Sequence, residues 1–562
     1  MEPSTLTSRR SAMRLVCVVV VLVLALLVRV EMISRAEAVA SDSGTYIAMA
    51  RELHLAPTGE VLRAYDYHPG YAAMTAALGR LSAAETPEQW IRAGRAVSLT
   101  MGMVALVCFY AVARAAFNHA VALLALLTVC LSPRLSELSC DPLSDTPALA
   151  FALAAVAVGI YAGRRGRDGF WRAIPAAGAA GVAAGVGYLF RPEALLSGGI
   201  AAVLLIPAVR LKRRPRKVSL LSLAALVLAV VACAAPYAAT IGGFTQKKTL
   251  EDFVGLVPAA GPVLASVTAG TGIPVALWQV LDRGRAAMGN TVFALSLVCW
   301  VTWLVRYGFR VRLPEGIVYR PKRDVAMVMV VAVGVMIPLL TALEVQRADG
   351  GRYVSSRHML LSATLLAPAA GAGLLTLAGW AMVLTRRLGA KARPQLTLLL
   401  CIGAAVVASA AETNFIPHAG KAPLRVAGGA VRFTLGDGTR GLVTQGRAAM
   451  YAGSPPVQFR PETAGRFRIR TQDLASPQAL LKRAEHAGDI SYVVIDTRFL
   501  DTSGRGEIIA ELREHDRFHQ LGVFGVGEPS EVHVFVLGAA TDEPGVTRPD
   551  MPAPGSTRRP PF

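Results

Sequence analysis

The chain has 562 residues, of which 53% are hydrophobic and only 17% are charged. Soluble domains carry about 25% charged residues, so this composition excludes a disordered chain, a fibrous chain and a disulfide-rich miniprotein. Mean hydropathy is +0.46, and most apolar residues lie in runs of roughly seventeen or more, the length that a membrane span needs. The sequence therefore predicts an all-α polytopic membrane protein.

The net charge of +20 lies largely in short basic clusters between the apolar runs. Lys and Arg in short loops keep those loops on the cytoplasmic side, so the charge indicates membrane topology and no nucleic-acid partner. The seven cysteines show neither a CxxC pair nor a Cys/His ligand spacing, which argues against a disulfide framework and a zinc site. An uncleaved first helix is the preferred interpretation of the N-terminus, with cleavage after Ala38 as the alternative.

Eleven apolar segments are predicted to span the membrane. All five predicted inner loops contain or adjoin basic residues, so the N-terminus is expected in the cytoplasm and the end of the last span outside. The protein is accordingly expected in the cell (inner) membrane. The predicted spans are 13–33, 96–115, 118–133, 146–163, 173–190, 194–210, 218–238, 289–306, 324–343, 358–384 and 395–411.

Two long outer segments separate these spans, at 34–95 and 239–288. In the first, apolar residues from Tyr46 to Leu53 have helical spacing. This spacing predicts an amphipathic helix that lies along the membrane surface. The second segment is mixed in composition and is expected to hold further interfacial helices.

The composition changes after residue 411. Residues 1–411 are predicted to form the membrane domain, 412–540 a small extracytoplasmic α/β domain, and 541–562 a disordered tail rich in Pro, Thr, Gly and Arg. The predicted strands are Gly441–Thr444, Ser491–Ile495 and Glu531–Leu537, and the predicted helices are Pro477–Ala487 and Arg505–His515.

Carboxylates near the outer helix ends are the first candidate site residues. Asp42 opens the first outer segment, and Asp66 and His68 follow it. Taken alone, Asp42 is explained better by a structural role as a helix N-cap, and His68 is either a phosphate ligand or a residue of a polar turn. Asp141 and Asp145 come just before the fourth span. Two carboxylates above an apolar helix are costly unless they face water or a ligand.

Cations on the outer side run against the positive-inside rule and need another explanation. Gathered at one face with the carboxylates, they would hold a phosphate or pyrophosphate group. The carboxylates would activate a hydroxyl or bind a metal. A lipid-linked sugar phosphate would present its phosphate at this depth, with its tail between the helices. The misplaced cations are Arg191, beside Glu193, then Lys247, Lys248, Arg347, Arg352, Arg357 and His358.

These motifs resemble those of the type C membrane glycosyltransferases over roughly residues 13–411. The matching features are the long acidic first outer loop, a Ser-Asp-x-Pro-like turn, and Leu-Phe-Arg-Pro-Glu-Ala-Leu-Leu after a Gly/Ala-rich helix. Within that group the chain is similar to protein O-mannosyltransferases and to the aminoarabinose transferases of lipid A. It departs from them at Asp42-Ser43, where the family often has Asp-Glu.

The resemblance implies roles for individual residues. Asp42 matches the presumed catalytic base, and Asp145 is the candidate for the second acidic group. Asp66, Asp141 and Glu193 are the other acidic candidates. The donor phosphate is expected to be bound by His68, Arg191, Lys248, Arg357 and His358.

The resemblance also implies an activity, the transfer of a hexosyl or pentosyl group from a polyprenyl-phosphate donor to a hydroxyl acceptor. The transfer would be a single inverting displacement on the outer face of the membrane, with a lipid, glycan or protein as acceptor. A divalent metal such as Mg²⁺ or Mn²⁺ is left open, because two or three carboxylates do not define a site. The alternatives are a polytopic transporter or lipid flippase, which usually shows repeats and charges near the midplane, and a receptor or assembly protein anchored by the spans.

Overall fold

The computed structural model describes residues 3–165, 170–206, 216–245, 272–307, 322, 334–341, 355–387, 393–503, 507–526 and 531–538. The helices are α1 (Pro3–Arg35), α2 (Ser43–Leu55), α3 (Thr58–Ala64), α4 (Gly70–Leu81), α5 (Pro87–Ala116), α6 (His119–Cys130), α7 (Pro133–Cys140), α8 (Asp145–Arg165), α9 (Phe170–Tyr188), α10 (Leu195–Leu205), α11 (Arg216–Ile241), α12 (Gly272–Met288), α13 (Asn290–Tyr307), α14 (Leu360–Leu366), α15 (Pro368–Arg387), α16 (Pro394–Thr413), α17 (Ala422–Leu435), α18 (Gly446–Tyr451), α19 (Pro461–Phe467), α20 (Pro477–Ala487), α21 (Thr497–Ser503) and α22 (Ile508–Glu514). The strands are β1 (Arg440–Val443), β2 (Ile490–Asp496), β3 (Phe518–Phe524) and β4 (Val532–Leu537).

Six helices in the described part of the chain are long and apolar enough to cross a membrane, or eight segments if each of two bent helix pairs is one span. The bent pairs are α6–α7, at 62°, and α12–α13, at 111°. Helix α9 is rich in Gly and Ala, and α10 is an apolar helix shorter than these. Most of the predicted span 324–343 lies outside the described residues. The mostly helical, multi-span architecture is confirmed, and the number eleven stays a prediction.

Small residues on α15 allow neighbouring helices to approach closely. A Cβ atom at Gly371 would collide with the Val121 carbonyl oxygen of α6, and one at Gly373 with the Leu295 carbonyl oxygen of α13. Side chains larger than hydrogen would therefore force these helices apart, and such close backbone approach is typical of membrane helix packing.

The predicted helix of the first outer segment is present as α2, and its position along the membrane surface stays a prediction. Its apolar residues Tyr46, Ile47, Met49 and Leu53 are buried within the protein, where α2 packs against α4. Helices α2 to α4 thus form a packed layer, and residue 42 lies at the beginning of that layer.

A four-stranded sheet follows the membrane part, in the order β1-β2-β4-β3. Strands β1 and β2 are parallel, and the other two pairings are antiparallel. Alternate residues of β2 belong to different clusters, Val493 with α20 and α22, and Val494 with α17 and α18. Both faces are therefore covered by helices. The predicted strands match β1, β2 and β4, and β3 was not predicted. The domain boundaries stay predictions, and the tail 541–562 lies outside the described residues.

The sheet region packs against the outer helices of the membrane part. Arg460 Nη2 lies 3.0 Å from Glu52 Oε2 of α2, and Arg432 Nη1 lies 2.6 Å from Glu88 Oε2 of α5. Phe459 and Met450 lie against Gly44, two residues after Asp42. Residues from both parts therefore border the beginning of α2.

Candidate active site

Four separate segments place charged side chains around one point. Asp42 directly precedes α2, Asp145 is the first residue of α8, and Arg191 is the extended residue before a 3₁₀ turn at Pro192–Ala194. Arg357 lies in the turn that leads to α14. Each residue sits at a helix boundary, because charged side chains are costly deeper in an apolar span.

The Asp42 side chain binds another side chain and makes no helix-capping hydrogen bond. Residue 42 has α-region dihedral angles (φ −70°, ψ −20°), whereas an N-cap is usually extended. Its Oδ2 accepts a hydrogen bond of 2.5 Å from Arg357 Nη1. The geometry therefore supports a role for the Asp42 side chain as a partner of Arg357, and not the alternative role as an N-cap.

Arg357 bridges the two candidate carboxylates. Its Nε lies 3.1 Å from both oxygens of Asp145, and its Nη2 lies 2.8 Å from Asp145 Oδ2. Arg191 Nη1 also donates to Asp145 Oδ1. The Asp145 side chain is only 1% exposed, against 33% for Asp42. Asp145 is thus buried between two guanidinium groups, and Asp42 is accessible.

Glu193 and His358 complete the cluster. Arg191 Nε and Nη2 each lie 3.5 Å from an oxygen of Glu193, and His358 Nε2 lies 3.8 Å from Glu193 Oε1. The backbone N–H of Ser355 donates to His358 Nδ1 at 3.1 Å, which fixes the ring. We call Asp42, Asp145, Arg191, Glu193, Arg357 and His358 the charged cluster.

The electrostatics keep both guanidinium groups ionised. Burial would lower the pKa of Arg357 and of Arg191, but the nearby carboxylates, Asp145 above all, outweigh it and raise both. Tyr46 is the neutral member of the surroundings. Its hydroxyl lies 2.6 Å from Ser144 Oγ, and burial is the main reason that its pKa is raised to about 12.

A cavity opens beside the charged cluster. It encloses about 370 Å³, open mouth included. Asp145, Ala148, Leu149 and Ala152 line it from one face of α8, at helical spacing. One end of the cavity is therefore charged, and the rest of its lining is apolar. Its other lining residues are Arg191, Glu193, Ala194, Arg357, His358, Leu360 and Leu361.

Three predicted site residues lie away from the charged cluster, namely Asp66, His68 and Asp141. His68 Nε2 lies 3.1 Å from Thr245 Oγ1, and the centre of the His68 ring lies 5.0 Å from that of Tyr188 and 5.2 Å from that of Tyr237. Asp66 precedes His68 by two residues and lies near Tyr67, whose pKa is raised mainly by burial and further by the charges of Asp42 and Asp66. Lys248 lies outside the described residues.

Asp141 belongs to a separate group with Glu137 and His418. Donor atoms of the three residues all lie within 4.8 Å of one another. His418 Nε2 lies 2.7 Å from Asp141 Oδ2. Asp141 Oδ1 is buried without a hydrogen-bond partner in the described part of the chain. Carboxylate and imidazole ligands suit Zn²⁺ and Mn²⁺, so these residues could hold a divalent cation. The sequence analysis missed Glu137 and His418, since no ligand spacing links them.

Comparison with known proteins gives a family match and a shared fold. Residues 73–237 match the family model for dolichyl-phosphate-mannose-protein mannosyltransferase. The structure of the oligosaccharyltransferase AglB from Archaeoglobus fulgidus, in complex with an inhibitory peptide and a dolichol-phosphate, superposes with a TM-score of 0.57. The two chains are 13% identical over 94% of this chain and 75% of AglB. Curated proteins give no significant match.

A second structure decides the fold over nearly the full length of both chains. ArnT from Cupriavidus metallidurans, bound to undecaprenyl phosphate, superposes with a TM-score of 0.56 at 12% identity, over 93% of this chain and 98% of ArnT. The chain has the fold of the type C membrane glycosyltransferases. The resemblance inferred from the motifs is therefore confirmed. A further AglB structure, in complex with Zn and sulfate, gives a TM-score of 0.51 at 15% identity, over 88% of this chain and 69% of AglB.

Proposed function

We propose that the chain is a glycosyltransferase that uses a polyprenyl-phosphate sugar and acts on a hydroxyl acceptor at the outer face of the membrane. The cavity beside α8 carries the proposal, because its charged end continues into an apolar lining. A polyprenyl phosphate joins a charged group to an apolar chain in the same way. The solved AglB and ArnT structures hold dolichol-phosphate and undecaprenyl phosphate, which supports a lipid-linked donor here.

The donor phosphate binds at the charged end of the cavity, next to Arg191, Arg357 and His358. A sugar phosphodiester carries one negative charge, and its phosphate gains a second as the bond to the sugar breaks. Ionised guanidinium groups therefore stabilise the transition state more than the bound donor, which is the condition for catalysis. Glu193 lies next to Arg191 and His358 and orients them.

Asp42 is the general base. Arg357 donates to Asp42 Oδ2, and Ser41 Oγ lies 3.5 Å from Asp42 Oδ1. Because the Asp42 side chain is 33% exposed, an acceptor can reach it. As the acceptor oxygen attacks the anomeric carbon, Oδ1 takes the hydroxyl proton and the bond from that carbon to the phosphate oxygen breaks. The products are the glycosylated acceptor, with inverted configuration, and polyprenyl phosphate. General-base catalysis contributes about 10²–10⁴-fold.

Asp145 is a positioning residue. Two guanidinium groups occupy its oxygens, and its side chain is almost fully buried. A carboxylate held in this way is a weak base. The molecule that receives the sugar cannot reach it. Its role is to fix Arg191 and Arg357 at the charged end of the cavity.

A divalent cation is proposed for the group of Glu137, Asp141 and His418. These residues supply two carboxylates and one imidazole, and the unpartnered Oδ1 of Asp141 supports a ligand at this place. A bound cation would compensate the buried negative charge and tie α7 to the segment after α16. Zn²⁺ and Mn²⁺ fit the donor atoms best, and Mg²⁺ is less suited to imidazole.

The test is transfer by the purified protein in proteoliposomes. It is incubated with radiolabelled polyprenyl-phosphate sugars and a membrane extract, and new labelled products are separated. Asp42→Asn is the inactive variant, and Asp516→Asn, at a side chain that is 91% exposed, is the matched control. Label in a new lipid, glycan or protein with the wild type and the control supports the proposal. A labelled donor that crosses the bilayer without transfer of its sugar would indicate a flippase instead.

A further inference from the structure

The turn at residues 68–70 contains His68, a predicted phosphate ligand that lies away from the charged cluster. Only 2% of His68 is exposed, and it does not line the cavity beside α8. The turn leads into α4, which begins at Gly70. We call residues 68–70 the docking turn. We call residues 189–191, which follow α9 and end with Arg191, the arginine turn.

A backbone hydrogen bond joins the two turns. The Gly70 N–H donates to the Leu189 carbonyl oxygen at 2.6 Å. Gly70 is the first residue of α4, and Leu189 follows the last residue of α9. The first N–H groups and the last carbonyl groups of a helix have no partner within that helix, so this contact satisfies one group of each kind. The positive end of α4 therefore meets the negative end of α9.

The contact between the turns leaves no room for a side chain at position 70. A Cβ atom there would lie 2.8 Å from the Leu189 carbonyl oxygen and 2.9 Å from Phe190 Cδ2. Phe190 stacks on Phe151 of α8, with ring centres 5.4 Å apart. The arginine turn is thus held between the beginning of α4 and the side of α8. Any residue larger than glycine at position 70 would therefore displace it.

The His68 ring supports the end of α9 from a second side. Its centre lies 5.0 Å from that of Tyr188, the last residue of α9, and the two rings meet at 82°. Edge-to-face contacts of this kind favour one relative orientation of two rings. His68 Nε2 lies 3.1 Å from Thr245 Oγ1, and Tyr188 Oη donates to the Phe244 carbonyl oxygen. The end of α9 is therefore packed against the docking turn and against residues that follow α11.

The arginine turn carries one of the two guanidinium groups of the charged cluster. Arg191 directly follows the two residues that contact Gly70, and its backbone N–H donates to the Gly187 carbonyl oxygen at 3.0 Å. Its side chain donates to Asp145, the first residue of α8. A guanidinium group binds phosphate best when its position is fixed before the ligand arrives. The location of the arginine turn therefore sets where Arg191 meets the donor phosphate.

We propose that the docking turn places Arg191 at the donor phosphate, with His68 and Gly70 as positioning residues. This inference rests on the proposed function, because it assumes that Arg191 binds that phosphate. His68 acts through the packing of its ring on Tyr188 and does not bind the phosphate itself. Gly70 acts through the close approach of α4 to the arginine turn. The first outer segment thus supplies the base, Asp42, and also supports the donor site.

The first arm of the test is a titration of the purified full chain with undecaprenyl phosphate in detergent micelles. Gly70→Ala should weaken binding by about 10-fold, the effect expected when one hydrogen bond to a charged group is lost. Gly178→Ala is the matched control, because a Cβ atom at this position of α9 would have no neighbouring atom within 4 Å, and it should bind like the wild type. Wild-type affinity in Gly70→Ala would overturn the inference.

A double-variant cycle separates positioning from general damage to the fold. Arg191→Gln removes the group that the docking turn holds. In that background Gly70→Ala should weaken binding by no more than about 2-fold, because a residue that acts through another has no further effect once the other is gone. Equal weakening by Gly70→Ala in both backgrounds would assign the loss to misfolding and would overturn the inference.

Two variants of His68 test the second positioning residue without crowding the site. His68→Phe keeps a ring against Tyr188 and should keep most of the affinity for undecaprenyl phosphate. His68→Ala removes the ring and should weaken binding by about 2- to 10-fold, as the loss of an aromatic pair predicts. Equal losses in the two variants would show that an imidazole nitrogen is required, as in a phosphate ligand, and would overturn the role of the ring.

The same variants separate this inference from the proposed function. Binding of undecaprenyl phosphate by the wild type, with additive effects of Gly70→Ala and Arg191→Gln, would overturn the inference and leave the glycosyltransferase standing. No binding by the wild type would overturn the proposed function. The cycle measured by thermal unfolding would then decide whether the docking turn holds Arg191 on Asp145. Losses of Tm that are smaller than additive support this, and additive losses overturn it.

Discussion

The buried ion pairs of Asp145 give the sharpest prediction about stability. Asp145→Asn keeps the shape of the side chain but removes the charge that faces Arg191 and Arg357. The Asp145 side chain is 1% exposed and those of the two arginines 10% and 19%, so water cannot replace the lost partner. Removing one partner of a buried pair costs about 3–5 kcal/mol.

This cost can be converted into a melting temperature. The entropy of unfolding is about 2.1 cal/mol/K per residue, which for 562 residues is about 1.2 kcal/mol/K. Asp145→Asn should therefore lower Tm by about 3–4 °C, measured by thermal unfolding in detergent. Asp42→Asn, at an accessible side chain, should shift Tm by about 1 °C at most.

The double variant Asp145→Asn/Arg191→Gln tests the same pairing independently. The second change removes a charge that the first has left uncompensated. The double variant should therefore lose less stability than the sum of the losses in the two single variants, by about 0.5–3 kcal/mol. An Asp145→Asn protein that melts like the wild type, or strict additivity of the two changes, would refute the reasoning that Asp145 is desolvated between two cations.

Three further predictions follow from the site and the topology. Arg357→Ala should weaken binding of undecaprenyl phosphate by about 10-fold or more, through loss of a charge-assisted contact; unchanged affinity in a titration would restrict Arg357 to anchoring a helix end. Zn²⁺ or Mn²⁺ should raise Tm of the wild type, and His418→Ala should abolish the rise because the site loses a ligand; an equal rise in both proteins would reject the metal group. A reporter that fluoresces only in the cytoplasm should stay dark when fused after Phe562, and a bright fusion would show that a span is missing or false.

Most residues of the charged cluster can be predicted from the sequence. Charges at outer helix ends are costly unless they meet a partner, and this reasoning brought together Asp42, Asp145, Arg191, Glu193 and Arg357. It could not assign partners, since the direction of each side chain depends on how the helices pack. His68 therefore lies among aromatic rings, and not at the charged end of the cavity.

The sheet region was predicted less completely. Strand β2 is continuously apolar from Tyr492 to Ile495 and buried on both faces, which is a strong local signal. Strand β3 alternates poorly, with His519, Gln520 and Gly522 in its interior, and its residues are mostly half-buried at the edge of the sheet. Its pairing with β4 comes from tertiary packing.

The rate of sugar transfer by Asp42→Asn tests the central claim most directly. Asparagine keeps the size of the side chain and can still accept a hydrogen bond from Arg357, but it cannot take the proton of the acceptor hydroxyl. Transfer should fall by about 10²-fold or more, while undecaprenyl phosphate binds as tightly as in the wild type and Asp516→Asn keeps full activity. Transfer by Asp42→Asn at nearly the wild-type rate would contradict the assignment of Asp42 as the general base.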